Sequence, residues 1–217
     1  MEAPSGPVLL AVLVTAAGLL GCFHADRSGT KLTEYLGKPA ASLAFLLLAF
    51  HTAGDSRTAT TLAFLAALAL SLVGDVALMF RTNTAFLAGL TAFLLGHLGF
   101  VAAFLLRGVD PLWAAAALPV AVAVGVPILR WLLPHVPGEM RAPVLAYIGV
   151  ISAMVVLAIG THGHAPAPGL VVAAVMFFVS DIAVARQQFV VRTITNRYWG
   201  LPLYFGGQLV FAANLLA

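Results

Sequence analysis

Eight apolar runs joined by short polar connections dictate what this chain can become. Their approximate limits are 7–24, 39–54, 59–80, 84–106, 112–132, 143–161, 166–186 and 197–216, with ends that sequence alone places to within a few residues. A helix rises about 1.5 Å per residue, so most of these runs match the roughly 30 Å of bilayer hydrocarbon. Nothing else in the chain is available to cover them. Charged residues make up 9 % and hydrophobic residues 62 %, whereas a soluble domain carries about 25 % charged residues. The expected fold is all-α: a polytopic protein of the cell membrane, a bundle of eight transmembrane helices forming one integral-membrane domain over residues 1–217.

Cys22 is alone, so neither an intrachain disulfide nor a cysteine-rich metal site is available. The start, Met1-Glu2-Ala3-Pro4, has no basic region of the kind that precedes a cleaved signal, and the first run is read as a retained helix. Net charge is +3, but the Lys and Arg residues are scattered singly over the connections, which excludes nucleic acid as a partner. Pro39 after Lys38 suits a first helical position, and Pro111, Pro143 and Pro166 also fall near helix starts. Pro119, Pro127 and Pro202 lie inside runs and should bend them. The longest connections are expected at 25–38 and 133–142.

Orientation follows from the basic residues. Arg27, Lys31, Lys38, Arg81, Arg130, Arg141, Arg186, Arg192 and Arg197 belong to odd-numbered connections, and only Arg57 and Arg107 to even-numbered ones. The odd connections should face the cytoplasm, with both termini outside. The third and seventh runs then point the same way.

Each of those two runs carries an aspartate near its cytoplasmic end. Leu72-Val73-Gly74-Asp75-Val76-Ala77-Leu78 is echoed by Phe178-Val179-Ser180-Asp181-Ile182-Ala183-Val184. A carboxylate in hydrocarbon is expensive and often functional. Two at matched depth, each after a small residue, point to a shared site and hint at two parallel four-helix halves; the bland alternatives are a pair of packing plugs and chance similarity. Close together, the two could not both ionise easily, which is the usual division into general acid and general base.

His97, between Gly96 and Gly99, has room around its ring for a ligand or for another helix. His51 reads as structural. His162 and His164 form an H-x-H pair in the expected loop 160–168 at the opposite end, and two ligands do not make a zinc site. Tyr147, Tyr204 and Gln208 lie deep enough to line a cavity, whereas Tyr198 and Trp199 fit an interfacial belt. Lys38, Arg81, Arg186 and Arg192 are placed to meet a phosphate, although positive-inside residues belong there in any case. There is no G-x-S-x-G elbow, H-E-x-x-H, P-loop or dinucleotide fingerprint. Ser180 beside Asp181 makes no triad, since adjacent helical residues diverge.

In this order, Lys38-Pro39, Gly74-Asp75, Gly96-His97, the segment from Ala142 to Tyr147, Ser180-Asp181, and Tyr204 with Gln208 resemble the bacterial YhhN proteins and their vertebrate TMEM86 relatives, the lysoplasmalogenases. The resemblance runs from about residue 35 to the C-terminus. Phe205 stands where a second tyrosine is common. The resemblance implies hydrolysis of the vinyl ether bond of lysoplasmalogens to a fatty aldehyde and glycerophosphoethanolamine or glycerophosphocholine. The partners would be the bilayer and a single-chain ether phospholipid, sliding in from the inner leaflet.

That chemistry needs a proton delivered to carbon, an anion facing the resulting oxocarbenium ion, and a base for water. Asp75 and Asp181 can divide these roles, with the preference falling on Asp181 as base. His97 orients water or relays a proton. Tyr147, Tyr204 and Gln208 hold water and glycerol oxygens. Lys38, with Arg186, meets the lipid phosphate, or Lys38 pairs with a carboxylate. No metal or other cofactor is required. Taken without the resemblance, the same residues fit a small proton- or ion-coupled transporter equally well, and a non-catalytic scaffold is a third reading.

Overall fold

The computed structural model describes residues 5–80 and 82–217. Eight α-helices account for nearly all of it: α1 Gly6–Ser28, α2 Lys31–Ala53, α3 Ala59–Ala77, α4 Asn83–Arg107, α5 Pro111–Leu132, α6 Arg141–His164, α7 Pro168–Ala185 and α8 Ile194–Asn214. The first seven are long and apolar enough to cross a bilayer. α8 is diluted by Asn196, Arg197, Gln208 and Asn214 but packs among the others. Large apolar side chains look outward, Leu47 being 65 % and Val120 63 % exposed. In water such a surface would aggregate, and in lipid it is solvated. The protein is an all-α polytopic membrane protein.

Packing closes a ring. α2 lies on α3, α3 on α4, α4 on α6, α6 on α7, α7 on α8, and α8 returns to α2. α1 rests outside on α2 and α8, and α5 outside on α6. One half of the ring is filled by phenylalanines. Phe100 stacks on Phe211 at 4.2 Å, Phe64 meets Phe104 edge-on at 5.6 Å, and all four rings are fully buried. Asp75 lies eleven residues after Phe64 on α3, about 16 Å farther along the axis. The site therefore occupies the other half.

Several expected boundaries move. α2 starts at Lys31, not at Pro39, so Pro39 sits inside the helix and leaves the Tyr35 carbonyl without its intrahelical partner. The expected connection 25–38 shrinks to Gly29 and Thr30, with Gly29 at φ 74° serving as the left-handed end of α1. The reason is tertiary: Glu34, on the added turn, is held by Arg197 of α8. The connection 133–142 contains two single 3-10 turns. His162 and His164 are not in a loop but in the last turn of α6, where His162 Nδ1 accepts from the Ala167 amide at 2.9 Å. α7 ends in a π-helical turn, Arg186–Val190. Pro119, Pro127 and Pro202 lie inside their helices. The segment Met1 to Pro4 and Arg81 lie outside the described residues.

Candidate active site

Asp75 is in the last turn of α3, only 2 % exposed, and is held from both sides. On α2, Lys38 and Ser42 are one turn apart and so share a face. Lys38 Nζ lies 3.2 Å from Asp75 Oδ1 and donates to the Asp75 carbonyl oxygen at 3.1 Å. Ser42 Oγ lies 2.7 Å from Oδ2. From α8, the Tyr204 hydroxyl donates to the same oxygen at 2.6 Å. Gly74 makes this depth possible, because a Cβ there would strike the Phe93 ring.

Asp181, on α7, is less enclosed and more sparsely served. Tyr147 of α6 donates its hydroxyl to Oδ2 at 2.6 Å, and His97 Nε2 of α4 lies 3.6 Å from that oxygen. His97 is fully buried against Phe177, its ring centroid 4.3 Å away. Nδ1 is 2.7 Å from the Phe93 carbonyl, which can only accept, so Nδ1 carries a hydrogen. Nε2 faces Asp181 with no hydrogen-bond partner among the described residues. The room beside Gly96 and Gly99 is taken by another helix: a Cβ on either would press on Ala67 of α3.

Both aspartates line one cavity of about 520 Å³. α3 and α7 stand across the ring from one another, and the cavity lies between them. Lys38, Tyr147 and Tyr204 are on its wall, and Ile128 of α5 with Ile148 and Ile151 of α6 form an apolar side. Toward the α7–α8 turn, its polar mouth, it is lined by the exposed Arg192, by Arg197 and by the buried Asn196. Arg197 is tied to Asp26 at 2.8 Å and Glu34 at 2.7 Å. No three His, Cys, Asp or Glu side chains gather as metal ligands among the described residues.

Not every expected residue is on this wall. Arg186 donates from Nη1 to Asn196 Oδ1 at 2.6 Å and buttresses the α7–α8 turn. Gln208, one turn beyond Tyr204, is fully buried off the cavity, and neither of its amide atoms has a partner among the described residues. Tyr147 and Tyr204 spend their hydroxyl protons on the carboxylates, and Lys38 is paired with Asp75. Sequence reading passed over Ser42, although it lies four residues after Lys38 inside a run. It also passed over the link of Arg197 to Asp26 and Glu34, which no spacing announces.

A family model, YhhN, matches residues 33–215. The chain belongs to the YhhN family. Among the described residues, those bonded to the side chains of Asp75 and Asp181 lie within that segment. Two curated relatives, the proteins named lysoplasmalogenase of Mycobacterium bovis and of Mycobacterium tuberculosis, are each 36 % identical over 188 residues, covering 82 % of this chain and 69 % of theirs. No solved structure matches.

Proposed function

We propose that this YhhN protein hydrolyses the vinyl ether bond of single-chain ether phospholipids, releasing a fatty aldehyde and a glycerophospho-base. The observation that carries the reading is one membrane-embedded cavity walled by two carboxylates in unlike surroundings. Asp75 receives an ammonium and two hydroxyls, a set that satisfies an anion. Asp181 has one phenol donor and faces a ring nitrogen that carries a lone pair. Asp181, with this one donor against the three on Asp75, is the carboxyl better suited to hold a proton, with His97 Nε2 beside it at 3.6 Å. The roles preferred from sequence are therefore exchanged: Asp181 is the acid and Asp75 the standing anion.

In the proposed reaction Asp181 donates its proton to the second carbon of the alkenyl chain, and the first carbon becomes an oxocarbenium ion facing Asp75. Water adds to that carbon and returns a proton to Asp181, with His97 Nε2 3.6 Å away to orient the water. The hemiacetal then passes its hydroxyl proton to the glycerol oxygen as the carbon–oxygen bond breaks. Tyr147 and Tyr204 act as positioning residues, each fixing a carboxylate. The cavity mouth, at the arginine-rich end, faces the cytoplasm, with both termini outside.

The duplication hinted at by the two aspartate motifs belongs to this reading as well. Asp75 is clasped from α2 and α8, and Asp181 from α6 and α4. Those are equivalent places if α1–α4 and α5–α8 are parallel halves with α1 and α5 as their outer helices.

The test is aldehyde release from a lysoplasmalogen by purified protein. Asp75→Asn and Asp181→Asn, at equal folded yield, should each lose about 100-fold or more, the scale of general acid–base catalysis. Full activity in both variants would move the chemistry elsewhere. An inactive wild type that carries solute across proteoliposomes would replace the enzyme by a transporter.

A further inference from the structure

A second hollow of about 470 Å³ lies along α5 and α6, and Ile148 lines both it and the active-site cavity. Its lining is hydrocarbon apart from Ser152, and it runs from Leu129 to Leu118 on α5 and from Leu145 to Leu157 on α6. At a helical rise of about 1.5 Å per residue that is roughly 16–18 Å. Half of the bilayer's roughly 30 Å of hydrocarbon, the depth reached by one lipid chain, is about 15 Å. The groove begins beside Tyr147, whose hydroxyl is on Asp181, and runs away from the polar mouth.

Its outer wall is the most loosely held helix. Only Ala117, Gly125 and Leu132 of α5 are buried, and Pro119 and Pro127 interrupt its hydrogen-bond ladder. Its floor is small: a Cβ on Gly149 would meet nothing within 4 Å, and one on Gly125 would meet only Ser152 Oγ, at 3.9 Å. The shared wall at Ile148, the direction and the length together give the groove an occupant.

We infer that the α5–α6 groove is the channel for the hydrocarbon chain of a lysolipid, admitted between the two helices at Ile128 and Ile148. This rests on the hydrolase reading, because the chain of a vinyl ether lipid leaves directly from the reacting carbon. With that carbon at Asp181, the tail starts at Ile148 and the headgroup points to the mouth.

Gly149→Trp fills the groove at a site with open space and replaces glycine inside a helix, which favours its folding. Its ratio of kcat/KM for octadecenyl over octenyl lysoplasmalogen should fall roughly tenfold or more from wild type, the effect of about 1.4 kcal/mol. Val120→Trp, on the lipid face of α5 and off the groove, should leave the ratio unchanged. An unchanged ratio in Gly149→Trp, or an equal fall in both variants, overturns the assignment.

The second arm needs no turnover. A non-hydrolysable single-chain ether lysolipid with a diazirine at its chain end, bound to the wild-type protein, should label the far end of the groove around Leu118 and Leu157. Label spread over all outward faces, as for ordinary bilayer lipid, overturns the assignment. Wild type that hydrolyses neither substrate yet labels there refutes the hydrolase and keeps the channel.

Discussion

The Lys38 ammonium binds one aspartate twice, at Oδ1 and at the main-chain carbonyl, in a setting where both side chains are less than a tenth exposed. A buried ion pair adds little net stability, but removing one partner strands the other charge at a cost of about 3–5 kcal/mol. Lys38→Met should therefore unfold at a markedly lower temperature. Adding Asp75→Asn should restore most of the loss without restoring hydrolysis, and thermal unfolding of the single and double variants in detergent measures this. Recovery of activity in the double variant would contradict the role of Asp75 as the anion. Ser42→Ala removes one hydroxyl from the same carboxylate, and the expected loss is about 1 kcal/mol, the scale of a single hydrogen bond.

At the level of elements, the backbones of α1 and α2 meet glycine to glycine. A Cβ on Gly18 would drive into the Gly37 carbonyl, and one on Gly37 into that of Gly18. Gly18→Leu must push the helices apart, at about 1–3 kcal/mol by the scale of core overpacking. α1 lies outside the matched segment 33–215 and contributes no group bonded to either aspartate. The variant should thus release α1 to protease cleavage near Gly29 while hydrolysis persists, read by limited proteolysis beside the aldehyde assay. Arg197 supplies the second attachment: it bridges Asp26 of α1 and Glu34 of α2 from the start of α8. The same bridge explains why α2 begins eight residues before the expected position.

For the whole molecule, the proposed orientation makes a direct prediction: reporters fused to either terminus should be active only on the extracytoplasmic side, and a cysteine placed at Asn83 should be modified from the cytoplasm. Apolar runs and the near absence of charge were enough to specify a membrane solvent, eight helices and their approximate places, because hydrophobic length against bilayer thickness is a one-dimensional constraint. The same logic singled out Asp75, Asp181 and His97, since an ionisable group among leucines is visible without coordinates. Partnership was not readable in this way. Whether Lys38 met a phosphate or a carboxylate, whether the space beside His97 held ligand or helix, and whether Gln208 reached the cavity all depended on which helix faces closed the ring. The unequal hydrogen-bond sets of the two aspartates likewise come from three other helices, α2, α6 and α8. Those contacts join residues 33 to 129 positions apart, and only tertiary packing brings such distant groups within 3 Å.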